Sequence, residues 1–474
     1  MKKLFYYILL LAAVITTSCK DSYFDVNDDP NNPVKVGNEF LLTSGIAGVA
    51  YVHGGYYQHL GGFWSQHYAQ STGASQWATL EEFSIDEGDY DVQFTSLYSG
   101  ALMDLQVVRD RAKATGDWSY YLAATAMQSY SFSVLSDLYD QIPFSQALTG
   151  TKNLTPIYES GKDVTDSLIQ RLDFALSQDL TASTASKIGN ADIVFKGDMS
   201  KWVKFANTLK LKLYLRFVNV EPTKYSTQIK ALLAENNFLD VAAKMTAFKA
   251  EENGRNPFYE TFMDRLAGNV VASKTIVSEL ASAGDTRIDA YFNAPVDKTG
   301  KKLPQVGLGQ GRYKADATTY ATIKNLSTPN LTGLAPVYFF TLPEVYFLMA
   351  EGEARYGSAA LAEQDYISGI NASYTMYGLA PQAQLYAATG LYAYNGLESI
   401  ITQKWIAAVN TTAIESFFDK NRTGFPNNFV TSAVSSIGAN LPQRILFPDS
   451  ERKSNPNTPQ RKAIDVKVWF AKQQ

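Results

Sequence analysis

The only histidines of the chain, His53, His59 and His67, fall within 15 residues of one another, and six acids, Glu81, Glu82, Asp86, Glu87, Asp89 and Asp91, follow close behind. Imidazoles suggest a metal first. Zinc sites take three or four ligands at characteristic spacings, commonly with thiolates. The spacing here matches none, and the one cysteine, Cys19, lies far upstream. Hydrogen-bonded loop histidines are the simpler reading, and neither a metal nor any other cofactor is expected. The acids suggest hydrolysis, which needs two carboxylates facing each other across a cleft. Clustering in one segment does not set an acid opposite a base. No serine elbow, Gly-rich phosphate loop or His-Glu metalloprotease pattern is present. Asp25, Asn27 and Asp29 open like a calcium loop, but Pro30 stands where that loop needs glycine and Val36 where it needs a bidentate glutamate. The chain is therefore expected not to be an enzyme.

What remains is recognition. Tyr51, Tyr56, Tyr57, Phe63, Trp64, Tyr68, Trp77 and Phe83 share one Gly-rich stretch with Gln66, Gln70, Ser75 and Gln76. Flat rings with amides at their edges suit a sugar or a peptide. No helical or strand period is kept from Phe63 onward, so these rings are expected on a loop. Trp77, among Gly73, Ala74, Ser75 and Gln76, is the ring most expected to be half-exposed. The candidate ligand-binding set is Trp64, Tyr68, Gln76 and Trp77. Arg312 and Tyr313, after Gly307, Gly309 and Gly311, are expected to close the site from a second loop.

The N-terminus sets the compartment. Lys2 and Lys3 precede an apolar run from Leu4 to Ile15, then Thr16, Thr17, Ser18 and Cys19. About 20 apolar residues are needed to span a bilayer, so residues 1–18 read as a removed signal peptide. A small residue before a lone cysteine matches a bacterial lipobox, with Cys19 as the lipidation site. A single cysteine cannot make an internal disulfide. Residues 19–36, rich in Asp, Asn and Pro, are too polar to bury a core and read as a tether. Loss of Lys2 and Lys3 takes the basic count from 42 to 40, against 46 acids. That balance argues against a nucleic-acid partner, which would need a basic face.

The elements that must hold these residues are helical. Leu122, Ala126, Tyr130, Val134 and Leu138 recur every four residues between 118 and 139. A second helix is expected over 200–218 through Trp202, Phe205, Leu209, Leu213 and Phe217, with Lys201, Lys204, Lys210 and Lys212 on a solvated side. Adjacent pairs are expected at 94–112 with 118–139, 161–179 with 199–218, and 342–356 with 359–377. The expected fold is all-α, in tetratricopeptide-like helix-turn-helix pairs. Long irregular segments at 53–93 and 292–337 form its ligand-binding half. Residues 37–474 read as a single domain.

Seven segments, in order, carry a family resemblance: the lipobox with Phe24–Pro33, Leu135–Leu148, Gly197–Arg216, Gly284–Phe292, Leu342–Gly357, Thr402–Pro426 and Leu441–Pro456. With them the chain resembles the SusD/RagB family of nutrient-binding outer-membrane lipoproteins. The resemblance implies four tetratricopeptide-like units and a surface-exposed, lipid-anchored protein. It also implies capture of oligosaccharides or peptides for a SusC-type TonB-dependent transporter. Arg422 and Glu415, near Trp405, are expected in buried polar pairs rather than against ligand. The alternative is a structural or adhesion lipoprotein that uses its repeats for protein contact. Whether the ligand is glycan or peptide is not written in the residues.

Overall fold

The apolar spacing between Leu122 and Leu138 builds a helix over Trp118–Tyr139 in which every residue from Ser119 to Tyr139 is buried. All-round burial marks a central helix, and its many Ser and Ala side chains let neighbours approach closely. The computed structural model describes residues 36–182, 184–320 and 323–472. The expected signal peptide, Cys19 and all of the expected tether but residue 36 lie outside the described residues. In chain order the main helices are α1 (Asn38–Val52), α2 (Gln58–Trp64), α3 (Leu102–Thr115), α4 (Trp118–Tyr139), α5 (Gly161–Leu176), α6 (Met199–Arg216), α7 (Ser226–Glu235), α8 (Lys274–Ala283), α9 (Leu342–Tyr356), α10 (Ala359–Met376), α11 (Leu397–Ala407) and α12 (Ala413–Thr423). Among the described residues helix predominates and the strands are two to four residues long, so the fold is all-α.

Central α4 packs against α3, α5 and α6, and α9 packs against α10, α7 and α11. The expected helix-turn-helix pairs are present, although α5 leans more on α4 than on α6. Local chemistry sets the starts. Thr341 accepts the N–H of Glu344 ahead of Pro343 in the first turn of α9, and Asp198 accepts the N–H groups of Ser200 and Lys201 ahead of α6. One apolar cluster runs from Leu42 to Ala471. The C-terminal segment closes on it, with Trp469 4.8 Å from Phe217.

Buried charge ties the helices together. Arg216 meets Asp137 at 2.8 Å and Glu415 at 3.1 Å, and Lys212 sits 2.9 Å from both Glu344 and Glu415. Asp419 joins Lys404 at 2.9 Å to Arg422 at 2.8 Å. Arg422 also clasps Glu351, which receives Arg355 at 2.7 Å. Five cations face five carboxylates, and all but Arg355 are buried. Arg422 and Glu415 are thus buried and ion-paired as expected, though each to other partners. Lys212 corrects the expectation of a solvated lysine face. It lies on the stripe of Phe205, Leu209 and Arg216, and its side chain is 1% exposed. Burial would raise Glu351, but Arg422 and Arg355 outweigh it and hold its carboxyl at about 2. For Asp137 burial wins over Arg216, and the carboxyl sits at about 6.

The stretch 53–64 is not a loop. α1 continues through a π-helical turn, His53–Tyr57, into α2. Gly54, Gly55, Gly61 and Gly62 have poor helix propensity and hide this helix from a reading of periods. Packing requires three of them: a Cβ at Gly61 would lie 2.3 Å from the backbone nitrogen of Ile414, one at Gly54 would lie 2.4 Å from Val337, and one at Gly62 would lie 2.2 Å from the ring of Tyr68. The histidines are interior: His53 and His59 lie on this helix and not on a loop, whereas His67 lies in the bend that follows α2, buried and hydrogen-bonded. His53 Nε2 is 3.1 Å from Ser131 Oγ, and His67 Nε2 donates to the carbonyl of Trp405 at 2.9 Å. His59 stacks on Phe262 at 3.9 Å. Burial lowers all three to about 3 and keeps them neutral. Among the described residues no group of three or more His, Cys, Asp or Glu side chains could hold a metal ion, and no helix is long and apolar enough to cross a membrane.

Candidate functional site

Two irregular segments meet beyond the end of α2. The first leaves the strand Tyr68–Gln70, which pairs antiparallel with Val270–Ala272, and passes through Thr72–Trp77 into the short helix Ala78–Glu82. The second runs from Gly307 to Tyr320. Few of the bonds between them are regular secondary structure, so side chains do the joining. Gln70 Oε1 accepts the N–H of Trp77 at 2.7 Å and fixes where that ring begins. Asn269 Oδ1 accepts the N–H of Gln76 at 3.3 Å. Thr72 donates to the carbonyl of Tyr320.

Glu81 is the central tie. It is 3% exposed, and its two oxygens accept the N–H of Gln70 at 2.8 Å and the N–H of Gly311. One buried carboxyl therefore bonds to the first loop and to the second. Burial pushes this carboxyl up to about 8, against the opposing pull of those two amides. Beside it, the Tyr313 hydroxyl donates to Glu82 at 2.7 Å, and Gln310 Nε2 donates to the carbonyl of Tyr68 at 3.0 Å.

The outer surface of this junction carries an exposed Gln76, a half-buried Trp77, a half-buried Tyr320 and an exposed Arg312. The Gln76 side chain makes no bond of its own among the described residues. The Trp77 ring lies 4.5 Å from His59 and 5.3 Å from Phe262, so one side is packed. Its buried indole N–H has no hydrogen-bond partner among the described residues. Arg312 is held by Asp316 at 2.6 Å and 3.1 Å. Next to Gly309 a cleft of about 500 Å³ opens against the face of α8 that carries Lys274, Thr275, Ser278, Glu279 and Ser282.

Of the six expected ligand residues, Gln76, Trp77, Arg312 and Tyr313 therefore stand on the two sides of one junction. Three of the six need correcting as contact surfaces, because they are interior. Trp64 is 4% exposed; its indole donates to the carbonyl of Leu80 at 3.1 Å, and its ring packs 5.1 Å from Phe417. Tyr68 is fully buried and donates to Asn410 at 2.7 Å. Tyr313 is buried in a small cluster with Leu308 and Leu326. These rings support the loops from beneath. Glu81, Asn269 and Tyr320 were not singled out from the sequence. Glu81 stood in view as one of six acids, and its burial was the missing information.

The chain can now be compared with known proteins. A family model for SusD-like proteins, described as starch-binding and associating with the outer membrane, matches residues 30–448. The chain belongs to this SusD-like family. Solved structures agree on the fold. A SusD homologue from Bacteroides uniformis superposes with a TM-score of 0.77 at 23% identity, covering 92% of this chain and 100% of its own. A chitin-binding SusD homologue from Flavobacterium johnsoniae gives 0.76 at 21% identity, covering 90% and 98%. A SusD/RagB family protein from Bacteroides thetaiotaomicron gives 0.75 at 18%, covering 92% and 99%. No curated protein matches the chain. Identities this low carry the SusD-like fold across, not a ligand.

Proposed function

We propose that this SusD-like chain captures oligosaccharide at the outer membrane, through the junction of its two irregular segments. The observation that carries the reading is the outer face of that junction. A ring packed on one side, Trp77, stands next to the unengaged amide of Gln76, on loops pinned by Glu81. A half-buried ring with amide donors at its edge offers a sugar both a stacking face and hydrogen bonds. The family's description as starch-binding supports a glycan over a peptide. On this reading Cys19 carries the lipid, the chain lies at the cell surface, and its partner is a SusC-type TonB-dependent transporter that takes the captured ligand. The protein acts by binding and performs no reaction.

Calorimetry with maltoheptaose and chitohexaose tests the binding step. A stacked ring contributes about 1–3 kcal/mol by analogy with base–aromatic platforms. Trp77→Ala should therefore weaken binding roughly tenfold or more. Gln76→Ala, which disturbs no packing, should weaken it severalfold with an unchanged melting temperature. Binding of neither sugar, or affinity unaltered in both variants, would overturn the assignment.

A further inference from the structure

A second cleft, of about 410 Å³, lies between α3, α4, α5 and the segment 143–152, and shares no lining residue with the loop junction. The guanidinium of Arg171 lines it, and that of Arg109 lies buried behind, across Gln128. Arg109, buried on α3, donates only to neutral groups: Thr125 Oγ1 at 3.0 Å, Gln106 Oε1 at 2.9 Å and Gln128 Oε1 at 2.7 Å. Arg171, half-buried on α5, lies 3.9 Å over the ring of Phe144. Its one polar contact among the described residues is Gln128 Oε1 at 3.5 Å, beyond ordinary hydrogen-bond length. Among the described residues neither arginine has an ion pair. The carboxylates whose charge reaches Arg171 are Glu159, which accepts the N–H of Ser145 at 2.6 Å, and Asp110, which also lines the cleft and accepts from Gln106 at 2.9 Å; neither forms an ion pair with it among the described residues.

This breaks the habit of the rest of the molecule. The other buried arginines, Arg216, Arg287, Arg422 and Arg444, each have a carboxylate within reach. A charge withdrawn from water without a partner is costly. Burial and the like charge of Arg109 accordingly pull Arg171 down to about 10. Exposed Lys152 is the second cation of the lining, beside Arg171.

We propose that this cleft is a second ligand site, which takes the carboxylate of an acidic sugar of the uronic-acid class. The planar fork of Arg171 matches a carboxylate with two parallel N–H donors. The apolar wall of Met103, Val107 and Leu148 suits the C–H face of a pyranose, and Ser145 and Thr149 suit its hydroxyls. A bare anion would leave that wall unfilled, and the volume is that of a small-molecule site. This proposal does not rest on the loop junction binding anything.

Met103 lines the cleft, so its methyl group reports on it directly. The full-length lipoprotein, carrying 13C-methyl methionine and assigned through Met103→Leu, is titrated with methyl β-glucuronide, methyl β-glucoside and inorganic phosphate. The glucuronide should move the Met103 resonance to saturation, with the glucoside and phosphate at least tenfold weaker. Arg171→Gln removes a like charge from beside Arg109 and should keep the wild-type melting temperature, yet weaken the glucuronide tenfold or more. Arg171→Lys, which keeps the charge but not the fork, should fall between, and serves should the glutamine variant fail to fold. A Met103 signal that does not move, glucoside or phosphate binding as well as glucuronide, or wild-type affinity in both variants would overturn the proposal.

Discussion

Replacement of Glu81 by glutamine tests how the two loops are held. In the folded chain this carboxyl sits at about 8, against 4.5 when solvated, because burial penalises its charge more than the amides of Gln70 and Gly311 favour it. An acid whose folded pKa is raised contributes stability that is fully present below pH 4.5 and is lost as pH climbs toward 8. At about 1.36 kcal/mol per unit, the wild type loses roughly 5 kcal/mol across that window, and about 3 kcal/mol of it by pH 7. Glu81→Gln does not titrate. Its amide has one acceptor where the carboxyl has two, so one buried N–H loses its partner, at about 1–3 kcal/mol. Below pH 4.5 the variant should therefore be the less stable by about 2 kcal/mol. The curves should cross near pH 6, roughly 1.5 units up the slope, and above pH 8 the variant should be the more stable. Urea unfolding followed by tryptophan fluorescence, repeated from pH 4.5 to 8.5, measures the gap. A gap that stays constant would mean the carboxyl does not titrate in this range. A gap that widens with pH would mean the two amides hold it ionised, and either result refutes the reasoning.

Three further outcomes follow. Glu351→Gln leaves Arg422 and Arg355 short of a charge in the helical interior and should cost about 3–5 kcal/mol in urea unfolding; the wild-type contribution of Glu351, held at about 2, should be present above pH 4.5 and fade as pH falls toward 2. Gly61→Ala, whose Cβ meets the backbone of Ile414 at 2.3 Å, should lose about 1–3 kcal/mol or more, whereas Gly100→Ala, with open space around it, should be neutral or gain up to about 1 kcal/mol; equal melting temperatures for the pair would contradict the close approach. Cys19→Ala should move the protein from the membrane to the soluble fraction, since acyl chains supply about 0.8 kcal/mol per buried CH₂ and the acids at 21, 25, 28 and 29 supply no attraction to anionic lipid; retention in membranes of cells lacking the transporter would exclude the lipobox.

The long helices were legible because their apolar spacing is local. Trp118–Tyr139, Leu342–Tyr356 and Ala359–Met376 sit within a residue or so of where the pattern puts them. The helix through 53–64 was not, since four glycines and a π-helical turn blur its period, while the neighbours that require Gly61 and Gly54, Ile414 and Val337, lie hundreds of residues away. Lys212 looks no different from Lys201 or Lys204 until Glu344 and Glu415 are brought to it. The same limit separates Trp64 from Trp77. Both stand in polar, Gly-rich surroundings, and the difference is set by distant partners: Trp64 is buried against Phe417 and bonded to Leu80, whereas Trp77, packed on His59 and Phe262, stays half-buried. The junction itself was readable as two Gly-rich stretches, but Glu81, the group that joins them, was hidden among its acidic neighbours.

The buried charge cluster also orders events in time. Lys212 and Arg216 are made soon after Asp137, but Glu415 follows Arg216 by 199 residues, and Glu344 and Asp419 likewise come late. A nascent chain that ends before them presents two cations to a single acid, a combination that resists being dried out. The first half therefore cannot finish its interior until the last helices arrive. Incomplete chains stay loose, which leaves truncation products open to proteases.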